Sequence, residues 1–237
     1  TNLITEIKKS FESSNGFIKL LYANISFFII YTILWVPYPE IEKIITYLAF
    51  PSNSGILIQK PWTFISYMFV HTDLLHLIPN MLFLYFGSKL FLQKFSDKQL
   101  IITYTLGGIC GAIIFTLLFN LFPEHPNFDT EKALIGSSAG VFAIMIASAT
   151  YKPNHLIYIP IIGSIKLKYI AWSAILLFYI GIGNPNNAGG NLAHIGGAIF
   201  GYLYMMKLKR KKYFSTVRFS SFEKIIKLFK KSGKIKK

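Results

Sequence analysis

Long apolar runs separated by short polar breaks set the rhythm of this 237-residue chain. A helix needs about 20 predominantly apolar residues to cross the hydrocarbon core of a bilayer. By that measure six spans are predicted, at about 17–36, 74–93, 99–122, 133–150, 168–183 and 192–207. The stretch 37–73 is mixed. It carries Pro37, Pro39, Pro51 and Pro61 beside Ile44, Ile45, Leu48, Phe50 and Ile56. That pattern predicts short helices lying in the membrane interface rather than a further span. Residues 123–132 are polar and read as a loop. Residues 152–166 mix prolines with alternating apolar residues and read as a connector. The run 183–191 is rich in Asn and Gly and reads as a loop. The expected fold class is all-α: a polytopic membrane protein with six transmembrane helices. Its organisation is a cytoplasmic N-terminal segment 1–16, a membrane domain 17–207 and a basic tail 208–237, with no internal repeat.

Composition agrees with the pattern. Hydrophobic residues make up 53% of the chain and charged residues only 15%, where soluble domains carry about 25% charged. The net charge of +15 resembles a nucleic-acid signal until it is placed along the chain. With the N-terminus inside, the inner segments hold 22 of the 25 basic residues, and only Lys43, Lys60 and Lys132 fall outside. The net charge is then +18 inside and −3 outside, as the positive-inside rule requires. Both termini are expected in the cytoplasm. In the tail, Phe222, Ile225, Ile226 and Phe229 follow helical spacing with Lys224, Lys227, Lys230 and Lys231 interleaved. This is the signature of a basic amphipathic helix on an anionic inner leaflet, so lipid rather than nucleic acid is the expected partner. The single cysteine, Cys110, has no internal disulfide partner and sits in an apolar run as an inert thiol. No small-residue cleavage site follows the first apolar run, which reads as a retained span rather than a signal peptide.

Polar residues inside apolar spans are expensive and are functional candidates by default. Three groups stand out. His76 and Asn80 lie one turn apart on one face of span two, with His71 just before it. Gly136, Ser137, Ser138, Ala139 and Gly140 lie about one turn into span four. His194 lies in the first turn of span six, followed by Gly197 and Gly201. Spans two, four and six all run from outside to inside. His76, Ser138 and His194 are therefore expected at one shallow depth below the outer face. A Ser and a His at matched depth are the elements of a nucleophile–base pair. With no Asp or Glu inside the spans, this is a dyad rather than a triad. His76, Asn80 and the Ser138 amide can supply oxyanion donors. Gly197 and Gly201 form a small-xxx-small face that lets helices approach closely. No metal site is expected: His-Glu-x-x-His is absent and no carboxylate lies in the membrane. No cofactor is implied.

These residues resemble the rhomboid family of intramembrane serine proteases over roughly 60–206. The pieces are His71-x4-His76-x3-Asn80, Gly136-Ser137-Ser138 and His194-x2-Gly197-x3-Gly201. The resemblance implies a bacterial-type six-helix core, Ser138 as nucleophile, His194 as general base, and His76, Asn80 and the Ser138 amide as oxyanion donors. Phe142 stands where the family often has a Tyr packed on the catalytic His. The resemblance also implies transmembrane protein substrates and a home in a bacterial plasma membrane. Two departures are visible. Ala139 follows the Ser where the motif is usually Gly-x-Ser-Gly, and Trp62-Thr63 replaces the Trp-Arg of the first loop. Adjacent Ser137 competes for the nucleophile's place, and spacing from Gly136 favours Ser138.

The leading expectation is thus a serine endopeptidase that cleaves transmembrane proteins near the outer face, with 183–191, through Gly189 and Gly190, as a mobile cap. A catalytically inactive rhomboid-like protein that binds membrane clients is the alternative. A transporter requires a polar path across the membrane, and spans three and five carry almost no polar groups at mid-depth. A His base further implies that activity falls as the pH drops through its pKa.

Overall fold

The computed structural model describes residues 15–122, 133–159, 163–184 and 187–232, with side chains described as far as Arg210. The expected loop at 123–132, the N-terminal segment up to residue 14 and the apolar side chains of the tail lie outside that description. The described fold is mostly helical. Its long helices are α1 (Gly16–Trp35), α5 (Leu74–Phe91), α6 (Asp97–Leu121), α7 (Ser138–Tyr151), α8 (Leu167–Gly181) and α9 (Ala188–Ser232). Between α1 and α5 lie short helices α2 (Glu42–Leu48), α3 (Ser54–Gln59) and α4 (Thr63–Ser66), with single 3₁₀ turns at Pro39–Ile41 and Tyr67–Phe69. Three described helices, α1, α5 and α6, are long and apolar enough to cross a membrane. α7 and α8 are apolar but only 14 and 15 residues long.

Local chemistry fixes the helix starts. The Asn15 side chain caps α1 by accepting from the Ile18 N–H. Asp73 caps α5 by accepting from the His76 N–H at 2.7 Å. Ser96 and Gln99 form a reciprocal capping box at the start of α6. Each satisfies helical N–H groups that have no carbonyl partner inside their own helix.

α7 is the centre of the bundle. Every residue from Ala139 to Ala149 is buried. α5, α6, α8 and α9 surround it, and α1 packs on α5 and α6. The closest approach is between α7 and α9. A Cβ at Gly197 would run into the Ala139 carbonyl, and one at Gly201 into the Ala143 carbonyl. Only glycine at these positions lets the two backbones meet, which is how packing without a hydrophobic driving force is maximised.

The structure corrects several of these expectations. Helix α7 begins at Ser138, so Gly136 and Ser137 precede it instead of lying a turn inside. Ala133–Leu134 form a short strand, β2, paired antiparallel with Phe50–Pro51, β1. The run 183–191 is not all loop: α9 starts at Ala188. The Asn187 carbonyl accepts the Asn191 N–H at 3.1 Å, and Gly189 seats against the Phe115 ring. Gly189 and Gly190 therefore belong to the first turn of a helix. The connector contains a hairpin, β3 (Leu156–Ile159) with β4 (Gly163–Lys166), registered Leu156 to Lys166 and Ile159 to Gly163. Its alternating apolar residues are a strand's period of two. Finally, the stretch after α1 does not stay at the surface. Phe50, Tyr67, Met68, Val70 and His71 are fully buried or nearly so. The Tyr67 hydroxyl donates to the Gly108 carbonyl (2.8 Å), and Tyr104 donates to the Met68 carbonyl (3.2 Å). The second of these bonds satisfies a backbone carbonyl of the segment itself, as buried non-helical backbone requires.

Candidate active site

Ser138 opens α7. At the first position of a helix its N–H has no intrahelical acceptor, and the positive end of the helix dipole lies there. The approach to it is shaped by Gly136, whose φ of +103° is strained for any L side chain. The His76 ring also covers Gly136 so closely that a Cβ there would strike Nε2. The Gly136 N–H donates to the Tyr67 carbonyl at 2.9 Å. Through that bond the short turn before α7 is tied to the buried segment before α5.

His194 comes from the second turn of α9. Its Nε2 lies 2.6 Å from Ser138 Oγ, the length of a strong hydrogen bond. The glycine contact between α7 and α9, one turn further along, holds the two helices at the separation this bond needs. His194 Nδ1 is buried and, among the described residues, has no hydrogen-bond partner. Its ring is positioned by aromatic neighbours instead, with centroids 5.2 Å from Phe142 and 4.6 Å from Phe178. Phe142 and Phe178 meet edge to face at 4.4 Å.

His71, His76 and Asn80 form the opposing wall. The His71 and His76 rings meet edge on, with centroids 4.9 Å apart. Asn80 donates one amide hydrogen to the His76 carbonyl at 2.9 Å, and its Nδ2 lies 3.4 Å from His71 Nε2. The same His71 nitrogen accepts the Ser137 N–H at 3.4 Å and lies 3.3 Å from Ser137 Oγ. Two Ser–His pairs thus sit side by side. Ser137 with His71 is fully buried, while Ser138 with His194 is half-buried.

Ser138, His194, His76 and Asn80 all line one cavity of about 540 Å³. Gly136, Gly197, Gly201 and His71 support its walls and the helix contact behind them. Several lining residues are not singled out by the sequence pattern: Asp73, Pro79, Phe83, Phe178 and Asn187. Asp73 and Asn187 are detectable as helix-capping residues ahead of apolar runs. Phe178 is not, because one aromatic within an apolar run has no distinguishing pattern. Among the described residues no group of three or more His, Cys, Asp or Glu side chains is placed to hold a metal ion.

Residues 59–211 match the Rhomboid domain family model. The chain is 26% identical over 164 residues to RHOMBOID-like protein 12, mitochondrial, of Arabidopsis thaliana, a match covering 64% of this chain and 47% of that protein. It is 28% identical over 117 residues to Rhomboid-related protein 2 of Mus musculus, covering 47% of this chain and 34% of that protein. The chain therefore spans about half of one relative's length and a third of the other's.

Proposed function

The chain belongs to the rhomboid family, and on that premise we propose that it is an intramembrane serine endopeptidase acting on transmembrane proteins. The observation that carries the reading is the 2.6 Å contact between His194 Nε2 and Ser138 Oγ at the base of the cavity.

In this mechanism His194, neutral, takes the Ser138 hydroxyl proton as Oγ attacks the scissile carbonyl carbon. The developing oxyanion accepts hydrogen bonds from the Ser138 N–H, His76 and Asn80, aided by the α7 dipole. Histidinium then protonates the leaving amine, and an acyl-enzyme remains on Ser138. Water, deprotonated by His194, releases the acid product and regenerates the hydroxyl. Phe142 and Phe178 do for the imidazole what a carboxylate does in a triad: they fix its orientation, though they add no charge stabilisation. Asn80 gives up one of its two present contacts in order to donate to the oxyanion.

The proposal includes six membrane-spanning helices, α1 and α5 to α9, with both termini on the inner side. α7 at 14 residues is about 21 Å long, against a hydrocarbon core of about 30 Å. If its Tyr151 end meets the inner interface, Ser138 lies about 9 Å below the outer one. A short central helix thus gives the nucleophile its depth, and the wall of polar side chains supplies water's route to it.

The test is labelling of the full chain with a fluorophosphonate serine-hydrolase probe, followed by mapping of the modified residue. Label is expected on Ser138, lost in Ser138→Ala and retained in Ser137→Ala. Absence of label on the parent chain together with absence of cleavage favours the client-binding alternative instead.

A further inference from the structure

We propose that a groove between α7, α8 and α9, which runs along α9 from Ile195 to Lys209 and whose Lys209 end lies away from Ser138, binds an anionic phospholipid. The groove has a volume of about 540 Å³, within the range of specific small-ligand sites. Ala149, Ala171 and Ala198 form its buried floor, and Ile146 and Ile175 add to its apolar lining. At its rim Trp172 and Leu203 are 68% and 59% exposed. The groove is therefore open to whatever surrounds the helices, which for apolar helices of a membrane protein is acyl chain.

One end of the groove differs in chemistry. Lys168, from the first turn of α8, and Lys209, from α9, both line it, and among the described residues no Asp or Glu does. Lys209 Nζ donates to the Thr150 carbonyl at 3.3 Å, which leaves two of its three hydrogens for a ligand. Lys168 Nζ lies 5.1 Å from the Tyr169 ring centroid. Among the described residues neither amine meets a carboxylate. An apolar slot ending in two such cations is complementary to one amphiphile: an acyl chain carrying an anionic phosphodiester headgroup. Basic pockets between helices on the inner face bind such headgroups. Thr150 lies at the far end of α7 from Ser138, about 18 Å along the helix, so the basic end is remote from the cavity described above, and the two share no lining residue.

The experiment is native mass spectrometry of the full chain released from micelles, titrated with phosphatidylglycerol and phosphatidylcholine of identical acyl chains. Each lysine is expected to favour the anionic lipid by about fivefold, and the pair by about 25-fold. Lys168→Gln with Lys209→Gln removes the preference, and the double Arg variant keeps it. Ala198→Trp, which fills the floor with both lysines intact, weakens retention of both lipids. A variant with Lys224, Lys227, Lys230 and Lys231 all changed to Gln keeps the preference, because those residues lie in the tail. Equal retention of the two lipids by the parent, or an unchanged preference in the double Gln variant, overturns the proposal. So does loss of the preference in the tail variant, which assigns the binding to the tail. Displacement of the lipid by an equal concentration of glycerol phosphate overturns it too, as it marks an anion site with no use for the groove.

Discussion

Ser137 and Ser138 are adjacent in sequence yet occupy different environments. Ser137 is fully buried beside His71, while Ser138 is half-buried, bonded to His194 and facing the cavity. Replacing Ser138 by Ala removes the proposed nucleophile and is expected to lower cleavage by roughly 10⁴–10⁶-fold. His71 serves the fold instead, tying the turn before α7 to Asn80 and to the buried segment. His71→Ala leaves the buried Ser137 N–H without its acceptor and is expected to cost about 1–3 kcal/mol of stability, read by denaturant or thermal unfolding in micelles. Asn80→Ala is expected to reduce kcat by about 10²–10³-fold, the usual cost of losing one oxyanion donor, with binding of substrate changed far less. If His194 is the base, its protonated form cannot accept the Ser138 proton. A pH–rate profile on a chain that stays folded should then fall tenfold per pH unit on the acid side of that titration, wherever it lies, and a rate that never falls down to the pH of unfolding speaks against the assignment. At this scale the sequence is informative, because a polar side chain in an apolar span is conspicuous. It cannot rank the two serines by environment, since both belong to the same turn.

At the scale of elements, the α7–α9 contact decides whether Ser138 and His194 meet. Their 56-residue separation is bridged by two glycines that let one backbone lie on another. Gly197→Leu forces the helices apart and is expected to destabilise the protein by about 1–3 kcal/mol. It should also reduce probe labelling of Ser138, while Ile199→Leu, on an exposed position of the same helix, should do neither. Periodicity locates the helix cores well. It fails where backbone geometry outranks composition. The Asn- and Gly-rich run before α9 reads as loop, yet Asn187 provides the capping carbonyl and Gly189 fits under Phe115. Composition places the start of α7 a few residues too early because Ala133, Leu134 and Ile135 continue the apolar run. Only pairing of Ala133–Leu134 with Phe50–Pro51 shows that they are extended.

The whole molecule carries its apolar residues outward as well as inward. Ile33 is 65% exposed and Leu75 86%, whereas Asn24, His71, Ser88 and Thr103 are fully buried. Such a surface is stable against lipid and not against water. The proposed orientation predicts opposite labelling at the two ends. In a Cys110→Ala background, Lys209→Cys should react with an impermeant maleimide only after the inner side is opened. Thr72→Cys should react from outside in intact cells; the reverse pattern would invert the topology. The sequence by itself determined that the chain is helical and membrane-bound, and it picked out the polar side chains that can do chemistry. Those conclusions rest on transfer free energies, which are properties of residue types and add along a chain. That Ser137 meets His71, and that Phe178 and Asp73 share the cavity with Ser138, was decided only by the tertiary structure. So was the burial of the 67–71 segment as a wedge inside the bundle. Contacts between residues far apart in sequence depend on how closely two backbones approach, and no local pattern encodes that distance.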